Sequence, residues 1–181
     1  STVREQVSFD YMDQSPEMME RSARKGLLDV VLSFGDILLG QDWHTIPLWE
    51  VQWKVVVRKG HPLTRKRVVN SLDGFPLVGF CYIEGDRLTS RKSPLQNTFQ
   101  AIRGDGSENT RYSLEIVRKT DSVAYLPDLC MAGALKKGDI RSLQVAGWKN
   151  EKRQLYIHFN KDRVRQKFAK QLTRGLSQPS A

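Results

Sequence analysis

Hydroxyl side chains stand where predicted strands end and the next helix or loop begins. Ser15 follows one predicted strand, and Ser33 lies near the end of the apolar run Leu27 to Phe34. Thr120 and Ser122 precede a later strand. In open α/β sheets, ligands bind outside the carboxyl ends of the strands, where helix N-termini favour an anion. We therefore predict that these residues bind an anionic ligand, with simple helix capping as the alternative for each hydroxyl.

Four further residues occupy similar positions. Phe34 closes the first apolar run, and Gly79, Cys81 and Tyr82 lie at or just after the end of the apolar phrase FPLVGF. We predict that all four contribute to the same ligand-binding site. The alternative for the two aromatic side chains is packing in the core.

The sequence contains no recognisable catalytic or metal-binding set. His44, His61 and His158 are scattered, and none has a partner at the spacing of a metal site. The GxSxG, Walker and GxGxxG motifs are absent. We therefore predict a protein that is not an enzyme and needs no metal or cofactor.

The cysteines and the apolar runs indicate the compartment. Cys81 and Cys130 form neither a CxxC motif nor a disulfide framework, which favours a reducing, cytoplasmic compartment. A redox-sensing pair is the alternative. No apolar run approaches the roughly 18 residues of a membrane span, so no membrane partner is expected.

The net charge of +9 is concentrated in two stretches. Lys54 to Arg67 contains six basic residues and no acid, and Lys149 to Arg174 contains nine basic residues and two acids. Neither stretch has a helix-turn-helix or zinc-finger pattern. Solvated faces of a strand and a helix are the simpler interpretation, and a surface that faces DNA is the alternative.

Strand and helix patterns alternate along the chain, which is typical of α/β architecture. Ser15 precedes a proline and an apolar helical stripe, as an N-cap does. The continuous apolar run from Leu27 predicts a strand that is buried on both faces of a parallel sheet. The predicted strands are Val3 to Met12, Leu27 to Phe34, Trp49 to a turn before Leu63, Phe75 to Phe80, Tyr112 to Val117, Val123 to Leu129 and Gln154 to Phe159; the predicted helices begin after Ser15, at Pro94 to Ile102 before a GDGSEN loop, and at Arg163 to Leu176.

Five phrases in this order resemble the effector-binding domain of LysR-type transcriptional regulators. They are KGLLDVVLSF, WKVVVRKGHPL, SLDGFPLVGF, AYLPDLCMAGALKKGDIRSL and QLYIHFNKDRVRQKFAKQL. Each phrase is weak evidence alone, but their order and spacing over most of the chain are fairly specific.

The resemblance implies a fold and a function. The fold is α/β and periplasmic-binding-protein-like, with two α/β lobes of mixed, mostly parallel sheets joined by two crossing strands. Residues 1–51 plus 153–181 would form lobe one, and residues 52–152 lobe two. A small-molecule effector, expected to be an organic anion, would bind between the lobes and control DNA binding by an N-terminal domain. The domain would be a homodimer, within a homotetramer of the intact protein.

The chain departs from the family pattern at three places. The winged helix-turn-helix with its linker helix is not in this sequence, and neither is the first strand of lobe one with the helix after it. A helix is also expected to be missing immediately before Ala124, because the LPD phrase follows Asp121 without the usual helical segment. The alternative function is a solute-binding protein of a transporter, which has the same fold.

Overall fold

A computed structural model describes most of the chain. It covers residues 10, 12, 14–35, 37–84, 87–91, 102–106 and 110–176, with the backbone alone for residues 79–84, 87–91 and 102–106. The strand predicted at Val3 to Met12 lies almost wholly outside the described residues. The described helices are α1 (Pro16–Arg24), α2 (Thr110–Lys119), α3 (Asp128–Lys137) and α4 (Gln166–Leu176); the described strands are β1 (Val30–Phe34), β2 (Trp43–Arg58), β3 (Pro76–Glu84), β4 (Arg87–Arg91), β5 (Ile102–Gly106), β6 (Ala124–Pro127), β7 (Ile140–Leu143) and β8 (Lys152–Asn160).

Helix α1 begins and ends where the sequence predicts. The Ser15 hydroxyl accepts a hydrogen bond from the backbone N–H of Met18 at 3.3 Å, and a proline occupies the first turn. Gly26 follows the C-cap with a φ of 69°, a left-handed conformation that costs a glycine little. Ala23 is buried as the apolar stripe predicts, but Leu27 lies beyond the helix and is exposed.

Strand β1 corrects the prediction of a buried parallel strand. It pairs with β8 in the antiparallel direction, with Val31 opposite His158 and Ser33 opposite Tyr156. One face is buried, whereas Leu32 on the other face is 46% exposed. An apolar run indicates that a strand is buried, but it does not indicate whether the neighbouring strand is parallel or antiparallel. This pairing was therefore not predictable from the sequence of β1 alone.

Strand β2 is much longer than its predicted length and belongs to both halves of the sheet. Its first part, Trp43 to Gln52, pairs antiparallel with β8. Its second part, Trp53 to Arg58, pairs with β6 on one edge and β7 on the other. Below, the first sheet means β1, β8 and the first part of β2, and the second sheet means the second part of β2 with β6, β7 and the strands linked to β6 through β3. The register with β8 shifts between Pro47 and Glu50, which bends the strand.

Strand β3 connects β4 and β5 to the rest of the second sheet. It pairs antiparallel with β4 and parallel with β5. The backbone N–H of Val78 donates to the Val123 carbonyl at 2.9 Å, and the Val123 N–H donates to the Pro76 carbonyl at 2.8 Å. Ile102 lies in β5, not at the end of a helix, and β5 includes the start of the predicted GDGSEN loop. The rest of that predicted helix lies outside the described residues.

Helix α2 overturns two predictions. The segment predicted as a strand at Tyr112 to Val117 is helical, and its fully buried side chains, Ser113 and Val117, are four residues apart. A run of six residues is too short to distinguish the helical period from the strand period. Helix α2 also occupies the position before Ala124 at which a helix was expected to be missing. A short turn joins it to β6.

Helix α3 was missed because its start resembles the end of a strand. The strand predicted at Val123 to Leu129 ends at Pro127, and α3 follows at once. The end of α3 carries a clear signal, because Lys136 and Lys137 lie in the last turn and Gly138 adopts a φ of 74°.

Three consecutive valines of β2 fill the core on both faces of the second sheet. Val55 and Val57 pack with Leu72 on one face, and Val56 packs with Met131 of α3 on the other. The two faces of the first sheet are covered by α1 and α4, through Val31 and Ile157 respectively. Each sheet is thus a layer between two apolar surfaces.

His61 stabilises the turn after β2 only while it is neutral. Its buried ring accepts the Leu63 N–H at Nδ1 (3.1 Å) and donates from Nε2 to the Asp121 carbonyl (3.2 Å). Desolvation by burial lowers its pKa below the usual 6.5, although hydrogen bonding to Asp121 opposes the shift. The stabilisation is therefore complete above about pH 6.5 and is lost as the pH falls below that value.

We expect the His61→Asn variant to lose part of the acid sensitivity of the protein. Asparagine can still accept the Leu63 N–H but does not titrate, so the difference in urea midpoint between about pH 7.5 and about pH 5.5 should shrink. The matched control is His44→Asn, at an exposed histidine. An unchanged pH dependence in His61→Asn would contradict this explanation.

Candidate functional site

The two sheets meet at Trp53 of β2. Gln52 is the last β2 residue that pairs with β8, and Trp53 is the first that pairs with β6, opposite Pro127. The Trp53 backbone N–H donates to the Glu151 carbonyl at 2.9 Å, so the chain that returns to β8 lies beside β2 at this point. Side chains from distant parts of the sequence therefore converge around Trp53.

Aromatic and cationic side chains surround the Trp53 ring. The Phe34 ring at the end of β1 contacts it edge to face, with 5.9 Å between centroids. The Arg153 guanidinium carbon lies 5.0 Å from the centroid of the Trp53 ring. Arg153 also donates to Glu151 Oε2 from Nε at 2.9 Å and from Nη2 at 2.6 Å. Phe34, Trp53, Arg153 and Lys54, which is described next, are called the crossing cluster below.

The N-terminus of α3 lies beside the crossing cluster. Its N-cap is Pro127, which has no side chain that can accept from the first backbone amides. Lys54 follows Trp53 in β2, so its side chain lies on the opposite face of the strand, where its Nζ is 3.9 Å from Asp128 Oδ2 at the start of α3. Uncapped amides, the positive end of the helix dipole and a lysine together form a place where an anion is favoured.

A chain of polar side chains crosses the first sheet next to this cluster. Ser33 Oγ lies 2.8 Å from His158 Nε2, and His158 Nδ1 lies 2.8 Å from Thr45 Oγ1. His158 is 2% exposed and Ser33 is 5% exposed, so little water reaches either group. The Ser33 hydroxyl also lies 3.1 Å from the Gly35 carbonyl and can donate to it. This arrangement holds the end of β1 in one position relative to β8.

Tyr125 completes the packing behind Trp53. Its ring centroid lies 5.6 Å from that of Trp53, and its hydroxyl accepts the Glu151 N–H at 2.8 Å. Burial raises the pKa of Tyr125 above its usual value, so its hydroxyl is neutral at ordinary pH. The interaction fastens the returning segment to β6.

The other predicted hydroxyl residues lie away from the crossing cluster. Ser15 caps α1, which is the alternative considered for it. Thr120 Oγ1 lies 2.8 Å from both the Ile116 carbonyl and Ser122 Oγ, within the turn that precedes β6. This turn is at the opposite end of β6 from Trp53, about 10 Å along the strand. Ligand binding by these three residues stays a prediction.

The remaining predicted site residues lie in β3. Gly79 pairs with Gly106 of β5, and Cys81 and Tyr82 pair with β4. Their side chains are outside what the structure describes. Their contribution to a site also stays a prediction.

The sequence predicted Ser33 and Phe34 as site residues but did not identify Trp53 and Arg153 as part of the same cluster. Trp53 and Arg153 lie far apart in the sequence, and no motif joins them. The start of α3 could have been recognised, because a proline followed by an acidic residue is a common beginning of a helix.

The described residues contain neither a metal site nor a membrane-spanning helix. No group of three or more His, Cys, Asp or Glu side chains in these residues is arranged to hold a metal ion. Within the same ranges, no helix is long and apolar enough to cross a membrane.

Comparison with protein families identifies the class of the chain. The family of LysR substrate-binding domains matches residues 4–178, and the chain belongs to this family. The family comprises the effector-binding regulatory domains of LysR-type transcriptional regulators. No match was found among curated proteins.

Solved structures with low sequence identity share the fold of this chain. The bromide-bound regulatory domain of HypT from Salmonella typhimurium is 18% identical, with a TM-score of 0.66 over 97% of this chain and 86% of that one. The regulatory domain of a MetR from N. meningitidis is 15% identical, with a TM-score of 0.59 over 87% and 75%. Full-length OxyR C199D from Pseudomonas aeruginosa is 18% identical, with a TM-score of 0.64 over 91% of this chain but only 55% of that protein. The predicted α/β, periplasmic-binding-protein-like fold class is confirmed, but the prediction of mostly parallel sheets is wrong, because five of the six described strand pairings are antiparallel.

We expect Ser33→Ala to destabilise the domain by about 1–3 kcal/mol, because it removes the partner of a buried histidine nitrogen. The measurement is the free energy of unfolding from urea titration at neutral pH. Ser142→Ala, at an exposed serine of β7, should change it by no more than about 0.5 kcal/mol. Equal effects of the two variants would show that the Ser33–His158 contact contributes nothing.

Proposed function

We propose that this chain senses a small organic anion at the crossing cluster, between two lobes, and transmits its presence to a DNA-binding domain elsewhere in a LysR-type regulator. Its role would be binding and not catalysis. The predicted lobes, residues 1–51 plus 153–181 and residues 52–152, would meet at this cluster. The predicted cytoplasmic location and the predicted homodimer and homotetramer belong to the same proposal.

One observation carries the proposal: the uncapped N-terminus of α3 and Lys54 lie next to Trp53, the residue at which β2 passes from the first sheet to the second. A carboxylate at this place would accept hydrogen bonds from the α3 amides and would attract the Lys54 ammonium group. It would compete with Asp128, whose carboxylate lies 3.9 Å from that ammonium nitrogen. The contact is long, so it leaves Lys54 available to a ligand.

The neighbouring side chains favour an anion with an apolar body. Phe34 and Trp53 are both partly buried and provide ring surface beside the Arg153 guanidinium group. Ligand sites combine such apolar walls with a few polar groups that orient the ligand. An aliphatic or aromatic carboxylate fits this combination better than an inorganic ion.

The position of the cluster would allow ligand binding to change the relative orientation of the two lobes. Only the β2 crossing and the returning segment before β8 join the two sheets among the described residues. A ligand bound where the two sheets join would favour one relative orientation of the lobes. A change in that orientation would alter how the DNA-binding domains of an oligomer are spaced.

We expect a thermal screen of carboxylates, aromatic acids and amino acids to find ligands that raise the melting temperature. At about 100 times its dissociation constant, a ligand stabilises the native state by about 2.7 kcal/mol. In a domain of this size that is a rise of several degrees. Lys54→Gln and Ser33→Ala should each reduce the rise, measured relative to the unliganded melting temperature of the same variant.

Ser142→Ala serves as the control and should keep the full response. If no anion stabilises the protein, or if Lys54→Gln responds like the unaltered chain, the crossing cluster is not the effector site. A ligand whose effect depends on Thr120 and Ser122 would instead move the site to the far end of β6.

A further inference from the structure

Some basic residues form ion pairs in the described structure, and others do not. In the first basic stretch, Arg58 forms an ion pair with Asp121 at 2.7 Å, and Lys54 lies near Asp128. Arg65, Lys66 and Arg67 are exposed but consecutive. The backbone is extended at Lys66, so adjacent side chains point in alternate directions. These three residues therefore do not follow one side of a regular helix.

Three of the nine basic residues in the second stretch are also paired. Lys152 contacts Glu50 at 3.2 Å, Arg153 contacts Glu151 at 2.6 Å, and Arg163 contacts Asp29 at 2.9 Å. These contacts join neighbouring strands and turns of the first sheet. The cations that remain in this stretch are concentrated on and around α4.

Three cations form one continuous face of α4. Lys167, Lys170 and Arg174 are exposed and follow the spacing i, i+3, i+7, which places them on one side of a helix. The helix contains no acidic residue. None of the three has an ion pair with any residue that the structure describes. These residues are called the basic face.

The opposite side of α4 is already occupied. Ala169 is buried, and Leu172 and Leu176 pack against Ile157 and Phe159 of β8. The helix is thus anchored to the first sheet, and the basic face points away from it. Because the apolar side is not available, the helix cannot insert into a bilayer as amphipathic membrane-binding helices do.

Helix stability does not explain the basic face. Lys167 lies in the first turn of α4, which has no acidic residue to offset the positive end of the helix dipole. A cation is unfavourable there, whereas Arg174 in the last turn is favourable. The positive charge therefore extends along the helix, including the end where it opposes folding.

We propose that the basic face binds the phosphate backbone of duplex DNA, without reading its sequence. Lys167 and Arg174 are about 10 Å apart along the helix axis, and B-DNA carries one phosphate per about 3.4 Å of each strand. Three flexible cations over this length can each reach a phosphate of one strand. The basic face has no aromatic side chain that would stack on the bases of a single strand. This inference is independent of the effector site.

The test is a fluorescence-anisotropy titration of the chain with a labelled duplex of mixed sequence, at several salt concentrations from about 50 to about 200 mM. The stripped variant combines Lys167→Gln, Lys170→Gln and Arg174→Gln. The control variant combines Arg65→Gln, Lys66→Gln and Arg67→Gln, and it lowers the net charge by the same amount. Circular dichroism and melting temperature verify that both variants remain folded.

The unaltered chain and the control should bind weakly, with an affinity that falls steeply as salt rises. In the stripped variant, the slope of log affinity against log salt should decrease by about one for each cation removed. Equal losses in both variants would reduce the effect to net charge and overturn the proposal, as would an absence of binding at the lowest salt. A basic face that binds phosphatidylserine vesicles but not DNA would also overturn it.

Discussion

The structure depends on β2, because among the described strands this one alone pairs in both the first and the second sheet. It is a 16-residue strand, and its backbone pairs first with β8 and then with β6 and β7. Val55, Val56 and Val57 are fully buried, so the strand separates two apolar layers as well as joining two ladders. A change of register in β2 would move each of these side chains to the other face. The position of every element around the crossing follows from this strand.

The candidate site is a consequence of the crossing. Trp53 is where β2 leaves one set of partners and acquires another, so the ends of β1 and β6 and the segment before β8 must meet there. Ends of strands and starts of helices carry backbone groups that regular pairing does not satisfy. These unsatisfied backbone groups are concentrated at the crossing. The Ser33–His158 contact holds the end of β1 in a fixed position there.

Local features were predictable wherever neighbouring residues decide the conformation. The cap of α1 depends on Ser15 and the residues just after it, and all of that information lies within one turn. The turn at His61 and the helix α4 were also recognisable, because a proline turn and an apolar stripe are local patterns. Ordered phrases spread over the chain were sufficient to predict the family and the fold class, since each phrase reflects the packing of one element.

By itself, therefore, the sequence determined the caps, the turns, most of the elements and the fold class. Tertiary structure decided which elements meet. Ser33 pairs with His158 from 125 positions away, and Trp53 is flanked by Phe34 and Arg153. The helical state of residues 110–119 likewise depends on burying Val117 beneath the second sheet. A short window of sequence contains the hydrophobicity of a residue but not the direction or identity of its partner, and these are set only when distant strands pair.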